Sequence, residues 1–221
     1  MMTYKVIAME QDVRKDHFTY FQGMGYPYMG VTVNVDITDW LAAVKSQKLP
    51  FFHSFLYVVA NAANQVPQLR QRIKDGGVIE YEHCPSSYTV ALENGTYGYC
   101  TLQTQKPFKE FLEYAAKEQR QAVEQGGIDD GEDALALFFI SSLPWFSYSA
   151  LVQPVPSPAD SNPRITWGRY FVQETKTWIP VSLLCHHALV DGMHLNLFLN
   201  SCMHSLRHLY RTAKASNSLG E

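Results

Sequence analysis

Residues 178–192 (WIPVSLLCHHALVDG) decide how this chain folds and where its chemistry lies. The apolar run 178–184 predicts a buried strand, and the pattern from Met193 onward predicts a helix. Two histidines, His186 and His187, therefore fall where a strand passes into a helix, a position from which side chains reach clefts. Imidazole moves protons near pH 7, so this junction is the first candidate for a catalytic site.

Asp191 and Gly192 follow the second histidine and favour a functional role for it. A lone His187 would be interpreted as a core residue bonded to a backbone carbonyl. Gly192 permits a tight strand-to-helix turn, and Asp191 is a good helix N-cap in any case. If Asp191 is buried it needs a charged partner, and Arg14 could satisfy both carboxylate oxygens.

Composition narrows the class of protein. With 221 residues, 46% hydrophobic and 13% aromatic, the chain is expected to form one globular domain over residues 1–221. The net charge is −3 and no basic stripe is visible, so nucleic acid is a disfavoured partner. No apolar run approaches the ~20 residues that cross a membrane. The N-terminal stretch lacks the apolar centre of a signal peptide, which predicts a cytoplasmic location.

Metal, nucleotide and serine-nucleophile chemistry lack sequence support. The four cysteines form no CxxC pair. Cys185 and the two histidines are adjacent on a strand and point to alternating faces, so a zinc site is disfavoured. No GxGxxG or GxxxxGK[ST] motif occurs, and no GxSxG surrounds Ser141. Ser141 is either an ordinary strand-end serine or a hydroxyl donor for a developing oxyanion.

The remaining patterns predict strands and helices in irregular order. Strands are predicted at 29–37, 78–81, 87–92, 97–104, 135–141, 165–172 and 178–185, and helices at 36–49, 50–66, 107–125 and 191–213, with a frayed tail at 214–221. Thr38 or Asp39 is the expected cap of the first helix. Because strands and helices do not alternate regularly, the expected class is α/β of the α+β type, a mixed β-sheet with flanking helices.

Several motifs together resemble the chloramphenicol acetyltransferase family nearly end to end. The matches are HHALVDGMH at 186–194 with HHAVCDGFH, VRKDHF at 13–18 with RKEHF, VNVDIT at 33–38 with DIT, SYTV at 87–90 with YTV, SSLPW at 141–145 with SANPW, and TWGRY at 166–170 with TMGKY. Their order and spacing also agree. The HxxxDG core alone would be weaker, because dihydrolipoyl acyltransferases and peptide-synthetase condensation domains carry it too.

The resemblance implies a CoA-dependent acyltransferase fold and roles for single residues. His187 would be the general base that deprotonates an acceptor hydroxyl as it attacks the thioester of acetyl-CoA, in a ternary complex without an acyl-enzyme. Ser141 would donate to the oxyanion, and Thr166 would hold a water nearby. Asp191 would pair with Arg14 and keep the His187 loop in shape. No metal is implied.

The resemblance further implies a homotrimer in which His187 faces an acceptor pocket built mainly by the next subunit. The acceptor-binding residues it implies are Tyr20, Phe21, Met29, Thr89 and Thr166. Pro27 and Met29 stand where the family carries a cysteine and an aromatic residue, and Leu143 replaces an amide. The expected acceptor is chloramphenicol or a similar small hydroxyl compound, and its identity stays open.

Two alternatives remain at this stage. One is the core of a dihydrolipoyl-type acyltransferase, against which the absence of a lipoyl domain counts. The other is a non-catalytic trimeric ligand-binding protein of the same fold, against which the complete set of implied catalytic residues counts.

Overall fold

Two β-sheets and a layer of helices make up the part of the chain that the structure, a computed structural model, describes: residues 2–129, 131 and 133–218, with side chains to residue 210. The strands are β1 (Tyr4–Ile7), β2 (Tyr28–Asp36), β3 (Gln71–Lys74), β4 (Gly77–Tyr81), β5 (Ser86–Ala91), β6 (Tyr97–Leu102), β7 (Phe138–Leu143), β8 (Arg164–Gly168), β9 (Phe171–Gln173) and β10 (Lys176–His186). The helices are α1 (Lys15–Gln22), α2 (Thr38–Ser46), α3 (Phe51–Asn64), α4 (Phe108–Gln125) and α5 (Gly192–Ser218). Short 3-10 turns occupy Met9–Gln11, Pro67–Arg70 and Ala134–Ala136.

The larger sheet is mixed, which confirms the predicted fold class. Its seven strands run in the order β2-β10-β8-β7-β5-β6, and β9 also pairs with β10. The β5–β7 and β7–β8 pairs are parallel, and the other pairs are antiparallel. The smaller sheet, β1-β4-β3, is antiparallel. The long strand β10 therefore lies inside the larger sheet, with the two histidines at its end.

Alternation along the strands gives the larger sheet two different faces. One face is apolar and buried, with Ile140, Ile165 and Val181 in the same core cluster as residues of α2, α3 and α5. The opposite face, called here the polar face, carries the register partners Ser141, Thr166, Ser182 and Thr32, which form a hydroxyl row across four strands.

The loop after β7 covers part of the polar face. The Tyr148 hydroxyl donates to the backbone oxygen of Thr166 at 3.0 Å and accepts from the Ser182 hydroxyl at 3.2 Å. Gly168 makes this approach possible, because a Cβ there would lie 2.8 Å from Tyr148 Cε1 and 2.9 Å from Pro180 Cγ. Hydrogen bonds of Tyr148 therefore hold the loop over the hydroxyl row, and the lack of a side chain at Gly168 leaves room for it.

Some predicted boundaries and caps were wrong. The predicted strand 165–172 is interrupted. Three residues lie between Trp167 and Phe171, but only two lie between their β10 partners, Val181 and Trp178, so the extra residue forms a bulge. Neither Thr38 nor Asp39 caps α2, whose N-cap is Ile37. The last helix continues to Ser218, so residues 214–218 are not the predicted frayed tail, and residues 219–221 lie outside the described part.

Candidate active site

His187 follows β10 directly and is half-buried. Its backbone N–H donates to the Pro27 oxygen at 2.7 Å, which holds the turn against the start of β2. Its Nδ1 lies 2.8 Å from the backbone oxygen of Val190. A carbonyl oxygen only accepts, so Nδ1 carries the ring hydrogen and Nε2 of the neutral ring keeps its lone pair. The ring is therefore arranged to accept a proton through Nε2.

Helix α1 supplies a packing partner for this ring. Phe21 lies over His187 with ring centroids 3.9 Å apart and planes inclined by 32°. Tyr20 contacts Phe21 edge-on at 5.1 Å, and its side chain is exposed. Met29, on β2, reaches toward Gly192, with its Cε 3.8 Å from the position a Cβ would take there. The structure thus brings these three implied acceptor residues close to the histidine turn.

Asp191 ties the turn to α5 and to α1. It precedes the first residue of α5, and its Oδ1 accepts from the Met193 N–H at 3.0 Å. Arg14 Nη1 donates to its Oδ2, and His194 Nδ1 lies 2.8 Å from Oδ1. Burial acts to raise the pKa of Asp191, but the hydrogen bond from Arg14 and the neighbouring charges outweigh it and lower that pKa. Asp191 is therefore a carboxylate near neutral pH, bonded on both oxygens.

His186 differs from its neighbour in burial and surroundings. It is 3% exposed, and its Nδ1 accepts from the Ala188 N–H at 3.3 Å. Burial lowers the pKa of His186 to about 4, with a smaller contribution of the opposite sign from Asp160. His186 is consequently neutral at pH 7 and closed to solvent, whereas His187 is accessible.

Ser141 belongs to a second group of candidate residues. Together with Thr89 it lines a cavity of about 330 Å³ on the polar face. Thr166 is its register partner on β8, and the Thr166 hydroxyl donates to Gln153 Oε1 at 3.1 Å. Gln153 also lines the cavity, so the loop after β7 closes one side of it.

The two groups lie far apart within one chain. Ser141 and Ser182 are both register partners of Thr166, so they lie two strands apart, a distance of about 10 Å across the sheet. His187 follows Ser182 by five residues, a distance of about 16 Å along the strand direction. The separation between the two backbones is therefore about 19 Å. One small acceptor molecule cannot contact both residues of the same chain.

Some residues of these groups had not been singled out from the sequence. Gln153 lies in a proline-rich stretch that indicated only an extended loop. Arg164 and Asp160 form a bidentate ion pair beside the cavity. A spacing of four indicates contact only on a helix, and these two residues are not helical, so the sequence carried no signal of this pair.

The described residues contain no group of three or more His, Cys, Asp or Glu side chains placed to hold a metal ion. In the same part of the chain, no helix has the length and hydropathy needed to cross a bilayer.

Comparison with solved structures identifies the fold. A chloramphenicol acetyltransferase structure superposes with a TM-score of 0.83 at 23% identity, covering 92% of this chain and all of that one. The dihydrolipoamide acetyltransferase of Azotobacter vinelandii gives a TM-score of 0.66 at 19% identity over 87% of this chain and 86% of its own. The fold is that of CoA-dependent acyltransferases.

Sequence comparison then identifies the family. The family model "Chloramphenicol acetyltransferase" matches residues 2–203. A chloramphenicol acetyltransferase of Escherichia coli is 29% identical over 205 residues, which is 89% of this chain and 91% of that one. One from Vibrio anguillarum is 26% identical over 214 residues, 94% of this chain and 96% of that one. The chain belongs to the chloramphenicol acetyltransferase family, and its enzyme class is acyltransferase.

Proposed function

We propose that the protein transfers the acetyl group of acetyl-CoA to a hydroxyl of chloramphenicol or of a similar small compound. The relatives named above carry this activity in their names. The observation that carries the proposal is the bond between His187 Nδ1 and the Val190 oxygen, because it leaves Nε2 as a lone-pair base on an accessible ring.

The proposed reaction proceeds in a ternary complex. His187 Nε2 takes the proton of the acceptor hydroxyl while that oxygen attacks the thioester carbonyl. Ser141 donates a hydrogen bond to the oxyanion of the tetrahedral intermediate. The intermediate collapses as the C–S bond breaks, and the leaving thiolate of CoA takes the proton from the imidazolium. The new ester bond forms without an acyl-enzyme.

Three residues support these steps in the proposal. Arg14 and Asp191 act as positioning residues, since their ion pair and the cap on α5 hold the turn that carries His187. The Thr166 hydroxyl donates to Gln153, which leaves its oxygen lone pairs to accept from a water near the intermediate.

The proposal assembles each site from two chains of a homotrimer. A separation of about 19 Å within one chain requires that His187 of one subunit meet Ser141 of another. Tyr20, Phe21 and Met29 would then border the acceptor on the histidine side, and Thr89 on the serine side. Residues 1–221 are taken as one catalytic domain, placed in the cytoplasm, where its four buried free cysteines remain reduced.

A steady-state assay of CoA thiol release tests the proposal. The His187→Gln variant should lose about 10²- to 10⁴-fold in kcat with unchanged melting temperature, because it retains an amide but no base. His17→Gln, an exposed histidine on α1, is the matched control and should keep full activity. A His187→Gln enzyme with more than half of the activity would rule out the base.

Dihydrolipoamide belongs in the same assay. The likeness to a dihydrolipoamide acetyltransferase concerns the fold, and a thiol acceptor needs no strong base. Faster turnover with dihydrolipoamide than with every alcohol would replace the proposed acceptor class with thiols.

A further inference from the structure

The cavity beside Ser141 is lined by a charged residue, Arg164, that has no role in the reaction steps proposed above. Ser141, Thr89 and Gln153 line one part of this cavity. Arg164 lines another part, two residues before Thr166 on β8 and therefore on the same polar face. Arg164 is only 9% exposed, and a cation is rarely buried to this extent without a specific partner.

Arg164 is held in one orientation by partners on several sides. Its two terminal nitrogens donate to the two carboxylate oxygens of Asp160 at 2.8 and 2.7 Å. The guanidinium carbon lies 5.4 Å from the centre of the Phe139 ring and 5.9 Å from that of Tyr28. The Tyr28 hydroxyl donates to Asp160 at 2.8 Å. This bidentate pair of Arg164 and Asp160, packed against two rings, is rigid and is called the polar wall below.

The wall is strongly polar but has no net charge. Asp160 neutralises Arg164, and the cavity lining contains no other charged side chain among the described residues. An anionic acceptor would gain little from this neutral pair. An apolar acceptor would remove water from the cavity side of Arg164 without replacing the hydrogen bonds of that water, which is costly.

The geometry points to Arg164 and Asp160 as specificity-determining residues that select a neutral, multiply hydroxylated acceptor, an inference that rests on the proposed acetyl transfer. Hydroxyl groups of such a compound can replace water at Arg164, Thr89 and Gln153, which line the cavity. The Phe139 side chain adds an apolar surface for a carbon skeleton, so a ring-shaped polyol of the sugar type fits the lining. One hydroxyl passes its proton to His187 and forms the ester bond as the thioester C–S bond breaks, and the remaining hydroxyls bind the wall.

Three primary alcohols distinguish this acceptor class: a methyl glucoside, phenylpropanol and hydroxyhexanoate, each assayed by CoA thiol release beside chloramphenicol. We expect the wild-type kcat/KM for the glucoside to exceed that for the other two by at least about tenfold, since buried polar groups reject ligands that cannot bond to them. A wild-type preference for phenylpropanol or hydroxyhexanoate would overturn the inference.

The double variant Asp160→Leu/Arg164→Leu removes the wall without leaving one charge unpaired. Its ratio of kcat/KM between glucoside and phenylpropanol should fall at least about tenfold. Glu113→Leu/Lys117→Leu, two exposed charges four residues apart on α4, is the matched control and should keep the ratio. An unchanged ratio in a folded double variant would overturn the assignment, because a merely structural pair would alter stability and leave specificity alone.

Circular dichroism shows whether the double variant folds. If it does not fold, the wild-type preference for the glucoside over the other two alcohols tests the inference alone. Acetylation of chloramphenicol but of none of the three alcohols would overturn the inference while the proposed function stands. Failure of the wild type with chloramphenicol and with all three alcohols would refute the proposed function itself, and the inference with it.

Discussion

The ion pair between Arg14 and Asp191 should stabilise the turn that carries His187 by a measurable amount. The side chains are 18% and 34% exposed. The pair thus lies between surface pairs, worth under about 1 kcal/mol, and buried pairs, whose disruption costs about 3–5 kcal/mol. Asp191→Asn keeps an oxygen that can cap α5 but removes the carboxylate from Arg14. We expect the free energy of unfolding to fall by about 1–2 kcal/mol at pH 7.

The pH dependence of this difference has a definite sign. The pKa of Asp191 is lowered in the folded chain, so its stabilisation is complete above the unfolded value of about 4 and is lost as the pH falls through the folded pKa. The difference in unfolding free energy between wild type and Asp191→Asn should stay constant from pH 6 to pH 8. It should shrink below about pH 4, where the carboxylate is progressively protonated.

Urea unfolding followed by tryptophan fluorescence measures this difference. All variants are compared at one protein concentration, because subunit association adds to apparent stability. Asp16→Asn, an exposed carboxylate on α1, is the control and should change the free energy by less than about 0.5 kcal/mol. If Asp191→Asn were no more destabilising than this control at pH 7, the pair would not hold the turn.

Three further predictions concern packing and protonation elsewhere. Gly168→Ala should lower the stability of the protein in thermal unfolding by about 1–3 kcal/mol, because the added Cβ would overlap neighbouring atoms. Gly25→Ala is the control and should leave stability unchanged, because a Cβ there meets nothing within 4 Å. Equal melting temperatures of the two variants would contradict the packing at Gly168. Arg72→Met should lower the free energy of unfolding in urea by about 3–5 kcal/mol, because the fully buried guanidinium donates to five backbone carbonyls. A loss of less than about 1 kcal/mol would contradict this structural role. Burial lowers the pKa of His83 to about 4, so below about pH 6.5 the unfolded chain binds more protons than the folded one. The free energy of unfolding should therefore fall toward pH 4, and His83→Gln should flatten this decline. An unchanged dependence of stability on pH in the variant would refute the role given to His83.

Strong hydrophobic patterns made the main elements around the site predictable. The run before His186 indicated β10, and the helical periodicities over 50–66 and 107–125 correspond to α3 and α4. In contrast, α1 was missed, because its eight residues begin with charged and polar side chains and continue with aromatic ones, without a clear apolar stripe. Strands β1 and β3 have four residues each, too few for a period of two to be recognised.

The relative positions of the site residues could not come from the pattern. Ser141 and His187 were both identified, but their separation depends on strand order and register, which single-chain periodicity does not determine. The same holds for Arg164, whose ion pair with Asp160 was visible only as two charges four residues apart. The structure shows that Arg164 lines the cavity of Ser141 and is paired there with Asp160.

Mixed trimers test most directly whether the site combines residues of two chains. Chains carrying His187→Gln and chains carrying Ser141→Ala are each nearly inactive alone, the second because loss of an oxyanion donor costs about 10²- to 10³-fold. After the two are unfolded and refolded together in equal amounts, about one interface in four should pair an intact His187 with an intact Ser141. We predict recovery of about a quarter of wild-type activity, and a mixture no more active than its separate components would contradict the account.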